Sequence, residues 1–293
     1  SLALSTCNMV AAPTRSRLSP SLRVSFPVTD KTGFRLSYSH QAQQPDFNRM
    51  AQRSNGDASY TNTNATYGAP LNYGRSILFE FGVRHAFSDD LVLDVSAYNK
   101  DKVSDIAARI VGFNDVAVGR LINYNVMTNE DFGNSRGVDI KLDARSGSLF
   151  AGSLSYTFQR AASTGSDPFE YLGTTSRQIS TVTQDRTPPA QALLPTRDDR
   201  SHTIAGTATL TFPHAWRSGN WYGSVLQDVG FFATFRLASG LPYTKMINDG
   251  NGQTGPGNAF ALGGFAAEPL NASRTPWIKN VDLRVTRGFR LGG

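Results

Sequence analysis

Apolar and polar residues alternate with a period of two in segment after segment of this chain. In the first such segment, Leu22, Val24 and Phe26 alternate with Arg23 and Ser25. Successive side chains of a β-strand point to opposite faces of a sheet, so this alternation is typical of a strand with one apolar and one polar face. Nine segments carry the pattern: 21–28, 34–39, 77–84, 91–98, 138–143, 150–158, 203–212, 231–237 and 280–289.

The connections between these segments alternate between short and long. Turns at 29–32, 88–90 and 146–148 predict tight hairpins, whereas polar loops occupy about 45–75, 107–134, 163–200 and 240–275. Short turns at one end and long extracellular loops at the other are typical of outer-membrane barrels. The stretch 214–228 is an exception, since it is a longer turn on the short side.

Most of the charged residues of these segments fall on the polar face. A charge facing lipid near the bilayer midplane costs about 2–4 kcal/mol, so the pattern predicts that the polar face borders a hydrated lumen and the apolar face lipid. The predicted lumen-facing residues are Arg23, Arg35, Glu80, Arg84, Asp94, Asp139, Lys141, Arg236, Asp282 and Arg284. The predicted lipid-facing residues are Leu22, Val24, Leu36, Phe79, Phe81, Val95, Ile140, Leu154, Leu210, Phe235 and Leu283.

Alternation alone fits a soluble β-sandwich equally well, but segment length and aromatic placement favour a membrane barrel. The segments reach ten residues at 203–212 and 280–289, against about 5–6 in soluble strands. Phe26 and Phe150 lie near short turns and Tyr156 and Phe158 near long loops, as expected of two interfacial girdles. The expected fold is all-β, an antiparallel up-and-down transmembrane barrel segment of about nine strands; bacterial single-chain barrels have even strand numbers, so more chain is needed to close it.

Composition narrows the function classes. The chain has 11% aromatic residues, 27 glycines, a mean hydropathy of −0.31 and one cysteine, Cys7. It contains no apolar run long enough for a transmembrane helix, and one cysteine cannot form an internal disulfide. Although the net charge is +6, the arginines are dispersed through the strands, so nucleic acid is not expected as a partner. Outer-membrane lipid and lipopolysaccharide are expected instead.

Several short motifs resemble one family of bacterial receptors. The run 18–32 (LSPSLRVSFPVTDKT) is followed by 34–40 (FRLSYSH) and 44–47 (QPDF). Further along, the chain has 80–83 (EFGV), 98–101 (YNKD), 137–139 (GVD), 155–157 (SYT), 199–202 (DRSH) and 239–244 (SGLPYT). In this order they resemble the barrel of TonB-dependent outer-membrane receptors, especially the Oar-like kind.

The resemblance implies a barrel of about 22 strands with an N-terminal plug, energised from the inner membrane through TonB. On this comparison residues 1–293 are expected to be a partial barrel domain from the C-terminal part, because no plug, TonB-contact box or terminal strand ending in an aromatic residue is present. The implied partners are the rest of the barrel, the plug, the TonB complex and an unknown small ligand.

No pattern predicts an enzyme. The histidines His40, His85, His202 and His214 are far apart and lack metal-ligand spacing. Asp249 and Asn251 are weak calcium candidates in a glycine-rich loop, without the distal glutamate of a calcium-binding loop. No catalytic residue and no cofactor are therefore expected.

Three functions remain open for the sequence. The first is part of a TonB-dependent transporter in the bacterial outer membrane that takes up a scarce nutrient such as a siderophore, oligosaccharide or peptide, by binding and gating. The second is an outer-membrane barrel with a structural or adhesive surface role in a larger assembly. The third is a soluble carbohydrate-binding β-sandwich.

Overall fold

The structure is a computed structural model in which most of the chain forms one antiparallel sheet. It describes residues 14–51, 66–115, 120–168, 193–214, 216–217, 219–247, 265–266 and 268–289. No helix in these ranges is long and apolar enough to cross a membrane.

Nine long strands and six short ones are present in the described ranges. The long strands are β1 (Ser21–Thr29), β2 (Thr32–Gln43), β4 (Gly74–Ser88), β5 (Leu91–Asp115), β6 (Arg120–Ser146), β7 (Phe150–Ser163), β9 (His202–Thr211), β10 (Val229–Ala238) and β15 (Ile278–Arg287). The short strands are β3 (Thr66–Tyr67), β8 (Leu194–Pro195), β11 (Pro242–Tyr243), β12 (Met246–Ile247), β13 (Phe265–Ala266) and β14 (Ser273–Arg274). Two short helices, α1 (Phe47–Ala51) and α2 (Trp221–Leu226), lie in the connections.

The nine long strands form an up-and-down meander. Each is hydrogen-bonded to the next long strand along the chain, in the order β1-β2-β4-β5-β6-β7-β9-β10-β15. β1 and β15 are the two edges of this open sheet, and every residue in both is exposed. The nine-strand antiparallel prediction is confirmed.

Tight turns close the short-turn end of the sheet. β1 and β2 meet across Asp30 and Lys31, with Thr29 opposite Thr32. Between β6 and β7, Gly147 adopts φ +50°, a backbone conformation that glycine tolerates best. The β6–β7 strands stay in register up to their turn, whereas the β1–β2 register shifts between Pro27 and Thr29 next to its turn.

The predicted loop at 107–134 is wrong over most of its length. β5 continues to Asp115 and β6 begins at Arg120, and the two remain paired from Ala107 opposite Thr128 to Asp115 opposite Arg120. The register shifts between Lys102 and Ala107. Backbone pairing does not require an apolar face. The apolar residues of this extension, such as Ile110, Val111 and Phe113, do not alternate with polar residues, so the pattern does not identify it as a strand pair.

The connection between β2 and β4 packs against this extension. Asp46 begins α1, and its side chain accepts a hydrogen bond from the Asn48 N–H at 2.9 Å. Leu71, Ala108 and Met127 are 3%, 0% and 1% exposed and form a small apolar cluster. The cluster ties the long-loop end of the molecule to the β5–β6 hairpin.

Candidate functional site

The strand register brings the predicted polar residues onto one face of the sheet. Residues opposite each other in neighbouring strands share a face. Arg84, Asp94 and Lys141 are directly opposite one another on β4, β5 and β6. The same register places all ten predicted lumen-facing residues on this side, here called the polar face.

An ion-pair cluster lies at the middle of the polar face. Arg35 on β2 reaches across β4 and donates two hydrogen bonds to Asp94, each 2.7 Å long. Its Nε also lies 3.7 Å from Glu80 Oε1. The guanidinium fits the carboxylate in a bidentate geometry, which fixes both side chains more strongly than a single contact does.

Gly82 makes the path of Arg35 possible. It lies opposite Arg35 on β4, and a Cβ at this position would be 2.6 Å from Arg35 Nε. Gly137 has the same role for Tyr98, whose hydroxyl passes above it and donates to Gln159 Oε1 at 3.1 Å. Glycine inside a strand commonly marks such a close approach. A glycine within an alternating strand segment is thus the sequence signal that could have indicated these two close approaches.

Further polar contacts extend across β6 and β7. Lys141 Nζ lies 3.0 Å from Asp143 Oδ2, and the Thr157 hydroxyl donates to Asp139 Oδ1 at 2.6 Å. Between β7 and β9 the contact on this face joins two hydroxyls, those of Ser153 and Thr207, at 3.0 Å. The centre of the polar face is therefore a hydrogen-bonded surface of alternating charges.

The outer strands contribute separate charges. Arg284 lies over the ring of Phe232 at 4.5 Å, and Asp282 accepts a 3.0 Å hydrogen bond from Asn280. Arg236 is opposite Asn280, and Arg23 is opposite Ser37. The structure thus does not gather the ten predicted residues into one cluster; it joins Arg35, Glu80 and Asp94 and distributes the others.

A pocket opens towards the long-loop end, next to β2, β4 and β5. Its volume is about 210 Å³, and its lining includes Gln41, Gln43, Ser76, Lys100, Lys102 and Asp105. Of the two lysines, Lys102 has its Nζ 2.5 Å from Asp131 Oδ2 and 3.6 Å from Asp105 Oδ2. The Lys102 ammonium is therefore largely paired.

The opposite face carries the apolar side chains, and many of them are exposed. Phe81, Leu154 and Leu283 are 42%, 41% and 67% exposed. A contiguous exposed apolar face is unusual in a soluble monomer and typical of a surface covered by lipid or another apolar partner. The register places all eleven predicted lipid-facing residues on this apolar face. Their contact with lipid stays a prediction.

The apolar face has a defined border towards the long-loop end. On β5 to β7, the register line of Ala97, Val138 and Phe158 is apolar, and the next line holds Asn99, Arg136 and Arg160. On β7 the band runs from Phe150 to Phe158. Nine residues at about 3.3 Å each, tilted by about 40°, give a height of roughly 20–23 Å, near the apolar band of about 25 Å in outer-membrane barrels.

Aromatic residues line both borders of the band. At the long-loop end, the Tyr156 hydroxyl lies 2.9 Å from His202 Nδ1, and the His202 ring stacks on Trp277 at 6.0 Å. At the short-turn end, Phe26 lies 5.8 Å from Phe34. Rings with one polar atom suit the boundary between hydrocarbon and water.

Two long-loop segments are held together by Asp199. This residue is 2% exposed, and its side chain accepts a 2.9 Å hydrogen bond from the Ala161 N–H and pairs with the Arg274 guanidinium. Asn271 adds a 2.8 Å bond to the Pro195 carbonyl. Nearby, the N–H of Lys245 donates to Glu268 at 2.8 Å and lowers the pKa of that carboxyl below its usual value.

The predicted metal candidates Asp249 and Asn251 lie outside the described residues. Within the described ranges, no group of three or more His, Cys, Asp or Glu side chains is placed to hold a metal ion. His202 packs against the rings of Phe158 and Trp277. It therefore belongs to the row of aromatic residues at the long-loop border of the apolar band.

Comparisons with known proteins identify the family. The model of the family "TonB dependent receptor-like, beta-barrel" matches residues 8–292. The chain belongs to the TonB-dependent receptor β-barrel family. Proteins of this receptor family are located in the bacterial outer membrane and are not enzymes. No curated protein sequence matches the chain significantly.

Solved structures similar to this receptor barrel share its fold at low identity. The siderophore receptor PirA from Acinetobacter baumannii is 13% identical with a TM-score of 0.53, and the match covers 93% of this chain and 35% of that one. The outer membrane transporter YddB from Escherichia coli is 8% identical with a TM-score of 0.56, over 90% and 33%. A mutant ferric enterobactin receptor from Pseudomonas aeruginosa, in complex with enterobactin, is 15% identical with a TM-score of 0.56, over 94% and 33%. The chain therefore spans about a third of these receptors.

Proposed function

We propose that this chain forms one wall of a TonB-dependent transporter in the outer membrane, with the polar face towards the lumen and the apolar face towards lipid. The transporter takes up a scarce nutrient by binding and gating. The observation that carries the proposal is the segregation of the two faces. Arg35, Glu80 and Asp94 are joined on one side, while the other side at the same strands is apolar.

The polar face has two roles open to it in such a transporter. Its ion pairs and hydroxyl groups offer partners to the polar surface of a plug inside the barrel, or they hydrate the wall of a channel. TonB acts on the transporter outside this chain in either case. A lumen has enough water to solvate Arg35 and Asp94, whereas hydrocarbon does not.

The pocket beside Lys100 is a candidate ligand contact. It lies on the polar face near the long loops, where a ligand entering from outside would arrive first, and the ammonium of Lys100 favours an acidic group. Siderophore, oligosaccharide and peptide are the candidate classes. Ferric siderophores are the first to test, because two of the similar solved structures are siderophore receptors.

The test is uptake by cells that carry the intact receptor as their sole route for the labelled nutrient. We expect TonB-dependent uptake of one class, and a fall of about tenfold or more in binding when Lys100→Glu reverses the charge at position 100 of the pocket. Lys279→Glu is the matched control, because Lys279 lies opposite Leu237 on the apolar face. If none of the three classes is taken up, or if uptake does not depend on TonB, the result contradicts TonB-dependent transport and favours a structural or adhesive role.

A further inference from the structure

We infer that the turn between β9 and β10 is an interfacial anchor that binds the anionic phospholipid headgroups of the periplasmic leaflet. This inference rests on the proposed function for the orientation of the barrel, with the short turns periplasmic. The surface in question, here called the aromatic turn, consists of Phe212, Trp216, Arg217, Trp221, Tyr222 and Val225.

The aromatic turn has a defined structure of its own. The Phe212 and Asp228 backbones close its base, with 2.9 Å between Phe212 N and Val229 O and 3.0 Å between Asp228 N and Phe212 O. His214 Nδ1 lies 2.5 Å from Asp228 Oδ2. A Cβ at Gly223 would lie 2.0 Å from the Arg217 carbonyl oxygen, so only glycine allows α2 to fold back this closely.

The aromatic turn continues the apolar face beyond the end of the strands. Phe212 is 8% exposed because Trp216 packs on it edge-on at 4.5 Å. Phe212 also contacts Phe231 at 6.2 Å, and Phe231 is opposite Leu210 on the apolar face. The other short turns of the sheet, such as Asp30–Lys31, are polar and have no such extension.

The outer edge of the aromatic turn is apolar and uncovered. Trp221 is 80% exposed and Val225 is 52% exposed. They are four residues apart on α2, so their side chains point the same way. An exposed tryptophan next to an exposed valine is unfavourable in water, whereas tryptophan is favoured at a bilayer interface.

The charges next to this edge are cationic. Arg217 lies 5.5 Å from the Trp216 ring and 3.4 Å from the Tyr222 hydroxyl. Arg287, which follows Val285 on the apolar face, donates to the Ser224 carbonyl at 3.4 Å. The one acidic side chain among the described residues of this turn, Asp228, is paired with His214. Guanidinium groups beside an apolar edge complement phosphate headgroups above acyl chains.

The test uses the intact receptor with Cys7→Ser and one fluorescently labelled cysteine, reconstituted in vesicles of phosphatidylcholine with or without phosphatidylglycerol. We expect a probe at Val225→Cys to be quenched severalfold more by a nitroxide on the lipid headgroup than by one deep in the acyl chain. A probe at Asp30→Cys, in the polar β1–β2 turn near the other edge of the sheet, should show less than half of that quenching. Phosphatidylglycerol should increase the quenching at 225, and Arg217→Ala with Arg287→Ala should remove the increase.

Each other result overturns the inference. Equal access of aqueous iodide to the probe at 225 in detergent and in vesicles means that the edge stays in water. Shielding from iodide without lipid quenching means that a protein segment covers it. A probe at Phe81→Cys separates the two proposals: if the deep nitroxide does not quench it, the orientation in the proposed function is wrong, and if only the probe at 225 fails, the anchor alone is wrong.

Discussion

At the scale of single residues, a glycine decides how the central ion pair forms. Arg35 crosses β4 because Gly82 leaves the space above the strand empty. The alternating pattern identified Arg35 and Asp94 as polar-face residues, but not as partners. Their strands are separated by β4, and the pattern of one strand contains no information on diagonal contacts two strands away.

Replacing Gly82 by valine should break this ion pair. The new Cβ would lie within 3 Å of the Arg35 guanidinium, so the side chain must move away from Asp94. We expect a loss of about 1 kcal/mol in the free energy of unfolding of the intact receptor in vesicles, because the pair is partly solvated. In an Arg35→Ala background the same substitution should cost much less, and equal costs in both backgrounds would show that Gly82 acts otherwise.

Replacing Asp199 by asparagine should loosen two long-loop segments. Asp199 is buried, and its two carboxylate oxygens accept hydrogen bonds from the Ala161 N–H and the Arg274 guanidinium. Asparagine removes the negative charge and has only one side-chain oxygen for these two donors. Such a loss costs about 1–3 kcal/mol, which we expect to appear as roughly 5–150-fold faster amide exchange around Leu194–Pro195 and Ser273–Arg274. Exposed Asp198 is the matched control; a similar effect of Asp198→Asn would argue against a specific role of Asp199.

At the scale of elements, adjacent residues of strand β7 lie on opposite faces of the sheet, one apolar and one polar. Leu154 points to the apolar face and Ser153 to the polar face, where it contacts Thr207. Alternation predicted this correctly, since each residue records its own preference for apolar or polar surroundings. It could not predict the continuation of β5 and β6, where the paired residues do not alternate between apolar and polar.

Arginine substitutions on β7 should measure this separation. Leu154→Arg places a charge in the apolar band and should cost about 2–4 kcal/mol in the free energy of unfolding of the intact receptor in lipid. Ser153→Arg on the same strand should cost less than about 1 kcal/mol, because the polar face is hydrated. Equal costs at the two positions would contradict the assignment of lipid to the apolar face.

At the scale of the whole molecule, the sheet has two open edges. β1 and β15 each pair with one neighbour in the described part of the chain. An unpaired strand edge in lipid leaves backbone groups without partners, at several kcal/mol each. In a closed barrel of this family, β1 and β15 would each pair with a further strand.

The 293-residue chain refolded alone in vesicles should therefore not form a stable monomer. We expect it to aggregate or to associate through its edges, whereas the intact receptor should give a folded, heat-modifiable band on semi-native gels. A protease-resistant monomer of the chain alone would mean that the nine strands close on themselves, contrary to the open sheet.

The sequence by itself determined the number of long strands, their antiparallel order and the face on which their alternating side chains lie. These follow from preferences of individual residues, which a period of two displays directly. Only the tertiary structure decided that Arg35 pairs with Asp94 across Gly82, that Asp199 holds Arg274, and that β5 and β6 extend into the predicted loop. Those contacts depend on register, close approach and backbone pairing between segments far apart in the chain, and no local pattern records them.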